Sequence, residues 1–198
     1  MDDKNTTLNY YNTKSDLFVS TTKDLEFTDI QDGFLKFLNP GSLVLDFGCG
    51  SGRDSKYFLQ KGYLVEAMDG SEEMVRIATE VAGIPVKHML FQELDEENKY
   101  DGIFACASIL HVKKEELADV LQRMKKAVKD QGIIYVSFKY GDFEGYRNGR
   151  YFTDMTEESF RALLEQVSGL SIVEERITSD ARPGRENEKW LNVILRKD

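Results

Sequence analysis

The sequence predicts a three-layer α/β sandwich built on a mostly parallel sheet, and three observations support this prediction. Residues 43–61 have the pattern of a short apolar strand, a glycine-rich turn and a helix. Further apolar segments then alternate with amphipathic segments as far as residue 168. The last two β-like segments are joined by a short polar connection, which indicates a hairpin. Alternating strands and helices are typical of a parallel sheet covered on both faces.

The composition is that of one globular domain. The chain has 198 residues, of which 41% are hydrophobic and 31% are charged. A chain of this size buries about 70% of its unfolded surface, which is enough for a single core. We therefore expect one domain over residues 1–198, with an N-terminal arm or lid over 1–27 and an α/β core over 28–198.

Charge and cysteine content restrict the possible partners. The formal net charge of -9 argues against nucleic acid, because binding to phosphates depends on Lys and Arg. No apolar run approaches the roughly 18 residues of a membrane span, and the polar start of the chain is unlike a secretory signal. Cys49 and Cys106 form neither a disulfide framework nor a ligand cluster. We expect a cytoplasmic protein with no metal, while the sequence does not indicate the oligomeric state.

The elements of the first half follow from apolar runs that end at glycine or proline. Apolar residues at helical spacing precede Pro40, and Gly62 has the position of a helix C-terminal cap. Ser71 is a suitable N-cap for the helix that follows it. The predicted elements are a helix before Pro40, a strand at 43–45, a helix at 54–61, a strand at 63–68, a helix from Ser71 and a strand at 86–91.

The second half repeats this pattern and then changes it. A long amphipathic helix separates two apolar strands, and a connector over 140–152 is rich in glycine, arginine and aromatic residues. Loops at the carboxyl ends of parallel strands are where open α/β sheets bind ligands. The predicted elements are strands at 100–107 and 133–138, helices at 113–129 and 156–168, and a final pair of strands at 170–178 and 189–196.

The turn Gly48-Cys49-Gly50-Ser51-Gly52 indicates a nucleotide site, because its glycines allow positive φ and let a ligand approach the backbone. A dinucleotide fingerprint would need glycine where Arg53 stands, and the Gly-Lys-Ser/Thr of a Walker A loop is absent. Asp46 would repel a pyrophosphate but favours a ligand with positive charge, such as S-adenosylmethionine. Another Rossmann-type ligand or a plain tight turn remain open at this stage.

The segment at residues 44–52 matches the pattern hydrophobic-hydrophobic-Asp/Glu-x-Gly-x-Gly-x-Gly, and here the chain resembles the class I S-adenosylmethionine-dependent methyltransferases. The resemblance implies a seven-stranded sheet in the order 3-2-1-4-5-7-6 with the last strand antiparallel. No Asn-Pro-Pro-Tyr type motif follows the fourth strand, where Ala105-Cys106-Ala107-Ser108 stands instead. The chain is therefore similar to the small-molecule branch, which includes quinone-biosynthesis and tellurite-resistance-like enzymes.

The resemblance also implies where the cofactor binds. In this family an acidic residue at the end of the second strand binds the two ribose hydroxyls, and Asp69 stands there. A carboxylate suits a ribose because it accepts two hydrogen bonds at once. A polar side chain after the third strand binds the adenine, which makes Gln92 or Glu93 candidates.

One position departs from the family pattern. Gly70 stands where relatives often have a bulky apolar residue that packs on the adenine, so this role passes to Met74 or Phe91. The residues expected to bind the cofactor are Tyr11, Asp46, Gly48, Cys49, Gly50, Arg53, Asp69, Gly70, Met74, Gln92, Glu93 and Ala107.

The acceptor side is predicted from three segments. Relatives often carry an N-terminal helix whose Tyr-Tyr pair faces the site, which brings Tyr11 to the cofactor. His111 follows the fourth strand beside the methyl group in many relatives and is expected to orient the acceptor or to accept a proton. Arg147 and Arg150 lie in the aromatic connector and favour an anionic or electron-rich acceptor. The expected catalytic residues are His111 and Arg150.

The sequence thus predicts methyl transfer from S-adenosylmethionine to a small molecule of unknown identity, with S-adenosylhomocysteine as the product. The alternative is a non-catalytic module that binds the cofactor or another protein. A nicotinamide oxidoreductase is disfavoured by Arg53.

Overall fold

The computed structural model describes residues 3–22 and 25–198, and its strands and helices alternate for most of the chain. The strands are β1 (Leu43–Phe47), β2 (Leu64–Asp69), β3 (Val86–His88), β4 (Tyr100–Ala105), β5 (Val128–Lys139), β6 (Glu144–Arg147), β7 (Arg150–Thr153), β8 (Leu170–Ser179) and β9 (Lys189–Lys197). The helices are α1 (Asp3–Thr13), α2 (Ser15–Thr22), α3 (Thr28–Leu35), α4 (Arg53–Gln60), α5 (Glu72–Ala82), α6 (Lys114–Ala127) and α7 (Glu157–Leu164). Short 3₁₀ turns lie at Phe91–Glu93 and Ile109–His111.

Seven strands form one sheet in the order β3-β2-β1-β4-β5-β9-β8. Strands β1 to β5 are parallel, and β9 runs antiparallel to both of its neighbours. Numbered within this sheet alone, the order is the predicted 3-2-1-4-5-7-6 with the last strand of the chain reversed. The predicted fold is therefore confirmed. Parallel pairing brings the carboxyl ends of β1, β2 and β4 to one edge of the sheet.

The connector over 140–152 differs from the prediction because it is a second, two-stranded sheet rather than a loop. Strands β6 and β7 pair antiparallel up to Arg147 and Arg150, with Asn148 and Gly149 between them. Both turn residues have positive φ, 51° and 79°, as a tight two-residue hairpin turn requires. Asn-Gly is the strongest local signal for such a turn, so the hairpin follows from two residues.

Other boundaries also differ from the predicted ones. The third strand ends at His88, and a 3₁₀ turn begins at Phe91, the last residue of the predicted strand. The fourth strand ends at Ala105 rather than at Ala107, which has a positive φ of 50°. The N-terminal arm contains two helices, α1 and α2.

Apolar side chains cover both faces of the sheet. On one face the rings of Phe34 and Phe58 pack on Phe104, with centroids 5.1 and 5.0 Å away, and Tyr135 stacks on Phe104 at 4.6 Å. On the other face α6 buries its apolar stripe in the larger core. Because the rings fix the end of β4, they also fix the segment that follows it. In the described part of the chain, no helix has the length and apolar character that a bilayer crossing needs.

Candidate active site

A cavity of about 910 Å³ opens at the carboxyl edge of the sheet. Its wall is formed by the N-terminal arm, the glycine turn after β1, the ends of β2 and β4, the β6–β7 hairpin and the β8–β9 connection. Pockets for small molecules range from about 300 to 1,000 Å³, so this volume suits a cofactor and a second ligand together.

Helix α1 spans this cavity from one side to the other. At its C-terminal end, Asn12 Oδ1 accepts hydrogen bonds from Ser71 Oγ (2.6 Å) and from the Glu73 N–H (3.4 Å). Near its start, Thr7 Oγ1 accepts the Tyr151 N–H at 2.9 Å. One helix therefore holds the loop after β2 and the β6–β7 hairpin at the same time.

Two glycines of the turn after β1 have different functions. Gly48 has φ 80°, and a Cβ atom there would lie 2.6 Å from the Cβ of Ser108, so packing alone requires glycine. Gly50 has φ 53°, and its Cβ would meet only the Phe18 ring at 3.6 Å. Since Gly50 and Phe18 both line the cavity, a side chain at Gly50 would occupy ligand space.

Asp69 links the glycine turn to the start of α5. Its carboxylate accepts the Gly50 N–H and the Ser71 N–H, both at 2.9 Å. Burial raises the pKa of Asp69, while these two backbone N–H groups lower it. A carboxylate has about four lone-pair positions, so Asp69 keeps accepting capacity at the cavity wall for two ribose hydroxyls.

We expect Asp69→Ala to weaken S-adenosylhomocysteine binding by about 1–3 kcal/mol, because charge-assisted hydrogen bonds are lost. Calorimetric titration measures this change. The matched control is Asp95→Ala, an exposed acid outside the cavity, which leaves the affinity unchanged. An unchanged affinity in Asp69→Ala would assign the ribose to another residue.

Asp46 does not line the cavity. It is 2% exposed and accepts a hydrogen bond from Ser55 Oγ at 2.5 Å. Burial, and then the nearby Asp54 carboxylate, raise the pKa of Asp46 to about 7. Arg53 does line the cavity, but it pairs with Asp54 at 2.8 Å and lies 3.9 Å from the Phe27 ring centroid. The charged residues next to the glycine turn are therefore paired mainly with each other.

Of the two polar candidates after β3, Gln92 lines the cavity and Glu93 does not. Gln92 Nε2 donates to Glu116 Oε2 at 3.0 Å. Glu93 Oε2 accepts the Leu90 N–H at 2.7 Å and so caps its own 3₁₀ turn. The geometry thus favours Gln92 over Glu93 as a ligand contact.

The apolar wall beyond β2 includes residues that the sequence analysis missed. A Cβ at Gly70 would lie 3.0 Å from a Leu8 methyl and 3.1 Å from a Leu90 methyl, so these two leucines close around the glycine. Met74 and Phe91, which were predicted to pack on the adenine, also line the cavity. Leu90 directly precedes the predicted polar pair, but nothing in the sequence indicates that Leu8 reaches this wall.

His111, Tyr11 and Arg150 form a hydrogen-bonded chain. His111 Nδ1 lies 2.6 Å from the Tyr151 carbonyl oxygen, which can only accept, so Nδ1 carries the proton. The unprotonated Nε2 then accepts from the Tyr11 hydroxyl at 2.9 Å. Arg150 Nη1 donates to that hydroxyl oxygen at 3.3 Å. Burial lowers the pKa of His111 to about 4, and burial raises the pKa of Tyr11.

We expect the buried His111 to make the protein less stable in mild acid. Its pKa is about 4 in the fold and about 6.5 in the unfolded chain, so between these values the unfolded chain binds more protons. The free energy of unfolding then decreases as the pH is lowered through this window, by up to about 1.4 kcal/mol per pH unit. Above this window His111 is neutral in both states, so its burial no longer lowers the free energy of unfolding.

Urea denaturation of His111→Asn across this pH window measures the effect, since the variant loses this part of the pH slope. His88→Asn, which changes the other and exposed histidine, is the control and keeps the slope. An identical slope in His111→Asn and the native protein would contradict the burial argument.

The half of the cavity beside the β6–β7 hairpin has more basic than acidic residues although the chain is acidic. Arg150 lies over the rings of Tyr10 (4.6 Å) and Phe152 (5.2 Å) and has no carboxylate partner among the described residues. Several of the other cations in this half are paired with acidic side chains. The basic residues of this half are Lys139, Arg147, Arg150, Arg176, Arg182, Arg185 and Lys189, and the acidic ones are Asp29, Asp154, Asp180 and Glu188.

The β8–β9 connection reaches this half of the cavity, which the sequence analysis did not predict. Arg182 Nε donates to Asp180 Oδ1 at 2.8 Å, and Trp190 Nε1 donates to Asp180 Oδ2 at 3.0 Å. These contacts hold the pKa of Asp180 at about 2. The connection reaches the site because β9 lies beside β5 in the sheet.

Comparisons with known proteins agree with this geometry. The family model described as "Methyltransferase domain" matches residues 44–132, which include the glycine turn, Asp69 and His111. Over these residues the chain is similar to the S-adenosylmethionine-dependent methyltransferases. The predicted resemblance, enzyme class and cofactor are thereby confirmed.

Three relatives of this methyltransferase illustrate the range of similarity. An uncharacterized methyltransferase of Staphylococcus carnosus is 28% identical over 145 residues, which are 67% of this chain and 70% of that protein. Magnesium protoporphyrin IX methyltransferase of Synechocystis PCC 6803, with bound S-adenosylhomocysteine, has a TM-score of 0.79 at 23% identity, and each chain covers 100% of the other. The 1,6-didemethyltoxoflavin-N1-methyltransferase of Burkholderia thailandensis has a TM-score of 0.76 at 21% identity, covering 96% of this chain and 84% of that one.

Most of the predicted site residues of the methyltransferase meet in its cavity. The residues of the prediction that line it are Tyr11, Gly48, Cys49, Gly50, Arg53, Asp69, Gly70, Met74, Gln92, Ala107, His111 and Arg150. Asp46 and Glu93 lie outside the cavity wall. The role of each residue in binding or catalysis stays a prediction.

Proposed function

We propose that this methyltransferase acts on an anionic or electron-rich small molecule bound between the β6–β7 hairpin, Tyr11 and His111. The observation that carries the proposal is Arg150, whose cation has no carboxylate partner among the described residues and lies in the same cavity as the glycine turn. A partly buried guanidinium without a carboxylate partner favours a ligand that brings negative charge.

The cofactor half has the donors and apolar surface that S-adenosylmethionine needs. Asp69 would hold the ribose, the Gly50 backbone would face the ligand, and Leu8 and Leu90 would enclose the adenine. When bound, the cofactor supplies a methyl group on a positively charged sulfur, which is already activated for transfer. The protein's main task is then to align the acceptor, and such positioning is worth about 7–11 kcal/mol.

The chain's own residues can also remove the acceptor proton. Arg150 favours the ionised form of an acidic acceptor, because an opposite charge nearby lowers its pKa. The Tyr11 oxygen can take a proton from the acceptor as the Tyr11 hydroxyl proton passes to His111 Nε2, with Nδ1–H still bonded to the Tyr151 carbonyl. General base catalysis of this kind contributes about 10²–10⁴-fold.

The partner and location are part of the same proposal. We propose one catalytic domain over residues 1–198, acting in the cytoplasm on free small molecules rather than on nucleic acid. The net charge of -9 supports this, as do two structural neighbours named for small molecules. The competing proposal, a non-catalytic module, predicts that the cofactor binds and no acceptor is methylated.

Two measurements test the function. Calorimetric titration should detect binding of S-adenosylmethionine and S-adenosylhomocysteine but not of NAD, because Arg53 occupies the position of a fingerprint glycine and pairs with Asp54. Incubation with labelled methyl donor and a metabolite extract, separated into acidic, neutral and basic fractions, should label the acidic fraction. Comparable affinity for NAD would overturn the cofactor assignment. Label confined to the basic fraction would overturn the acceptor class, and binding without label would support the module.

A further inference from the structure

Two alternate residues of β7 and the residue directly after the strand face the cavity. They are Arg150, Phe152 and Asp154. Thr153, which lies between the last two, points elsewhere, since its Oγ1 donates to the Val112 carbonyl at 2.7 Å. Successive side chains of an extended segment point to opposite faces, so this segment presents a cation, a ring and a carboxylate in a row.

The carboxylate at one end of this row is incompletely bonded. Asp154 is 9% exposed, and one of its oxygens, Oδ2, is bonded to Arg147. The other oxygen, Oδ1, is buried and has no hydrogen-bond partner in the part of the chain that the structure describes. A buried acceptor without a donor costs roughly 1–3 kcal/mol, so a ligand N–H or O–H that reaches Oδ1 recovers this cost on binding.

Arg150, the cation at the other end of the row, lacks a hydrogen-bond acceptor rather than a donor in the described chain. Within the described residues, the buried Arg150 Nε has no acceptor and no carboxylate neutralises the guanidinium. Such a guanidinium favours a ligand that accepts hydrogen bonds and carries negative charge.

Between these ends lies the buried ring of Phe152, which is 5% exposed. It packs edge-on against His111 at 4.8 Å between ring centroids. The guanidinium groups of Arg150 and Arg147 lie 5.2 and 5.5 Å from the Phe152 ring. Extended residues rise about 3.3 Å each, so the Cα atoms of Arg150 and Asp154 are separated by about 13 Å. An acceptor with its two polar groups at opposite ends of a ring system can span this separation.

We propose that Arg150 and Asp154 together select a flat acceptor with an acidic group on one side and a hydrogen-bond donor on the other. The acidic group is a carboxylate or an ionised hydroxyl, and it binds Arg150. The donor is an amino, hydroxyl or ring N–H group, and it binds Asp154 Oδ1. This inference rests on the proposed function, because it concerns the acceptor of the same cavity. It disfavours a dianionic acceptor, whose second charge would meet Asp154.

Calorimetry with the S-adenosylhomocysteine-bound protein tests this selection. The probes are two pairs of acids that differ in length, 4-aminobenzoate with 4-nitrobenzoate and 4′-aminobiphenyl-4-carboxylate with 4′-nitrobiphenyl-4-carboxylate. Within a pair, the amino group donates hydrogen bonds and the nitro group only accepts them. We expect the amino member of at least one pair to bind about tenfold or more tightly than its nitro partner.

Two variants separate Asp154 from general charge effects. Asp154→Asn offers an amide donor in place of one oxygen and should remove or reverse the preference for the amino probe. Asp142→Asn makes the same change at an exposed acid of the same connection outside the cavity, and it should keep the preference.

The outcomes distinguish this inference from the function on which it rests. Failure of S-adenosylhomocysteine to bind would overturn the proposed function. Cofactor binding together with no amino preference in the native protein, with no binding of any probe, or with the same preference in Asp154→Asn would overturn the selection by Asp154. The comparison of amino and nitro probes in the native protein tests the selection even where a variant does not fold.

Discussion

Gly50→Val should abolish binding of S-adenosylhomocysteine while most of the fold's stability remains. The Cβ of residue 50 would point into the cavity, with only the Phe18 ring nearby at 3.6 Å. A branched side chain there takes the volume that the ligand needs, and it also strains a backbone with φ 53°. We expect the affinity to fall more than about 100-fold, which corresponds to about 2.7 kcal/mol.

The matched control for this variant is Gly62→Val. Gly62 also has a positive φ, 85°, but a Cβ there would meet nothing within 4 Å. This variant carries the same kind of strain, of order 1–3 kcal/mol, without any side chain in the cavity. It should lose thermal stability and keep its affinity for S-adenosylhomocysteine. Equal loss of affinity in both variants would show that strain, rather than volume, governs binding.

Arg150→Ala should reduce turnover about 100-fold and leave cofactor affinity within about twofold, because in our proposal the guanidinium binds the acceptor and reaches the cofactor side only through Tyr11. Arg150→Lys should be intermediate, since lysine keeps the charge but loses the planar fork that lies over Tyr10 and Phe152. The measurement is kcat/KM with an acceptor found in the labelled extract.

Arg185→Ala controls for the loss of one positive charge in the same half of the cavity. Arg185 pairs with Glu188 at 3.5 Å and is half exposed, so its removal should change turnover little. If cofactor affinity and turnover fell equally in Arg150→Ala, we would assign Arg150 to packing of the arm.

The fold could be predicted from the sequence further than the site could. Apolar runs and glycine stops are local signals, and they predicted the strands of the main sheet. The strand order depends on long-range pairing and came from the family resemblance. The hairpin also has a local signal in the sequence, because Asn148-Gly149 is a pair that favours a two-residue turn.

The site residues that were missed depend on packing between distant elements. The burial of Asp46 arises because α4 brings Ser55 and Asp54 beside it. Asp154 is available to a ligand because its ion-pair partner Arg147 bonds only one of its two carboxylate oxygens. No local pattern in the sequence specifies either arrangement.

The position of α1 has a consequence for access to the cavity. Because Asn12 is bonded to the loop after β2 and Thr7 to the β6–β7 hairpin, the helix is tied to both sides of the cavity at once. A displacement of the helix that breaks both hydrogen bonds would open both sides together. We therefore expect the entry of the nucleoside and the entry of the acceptor to depend on the same movement of α1.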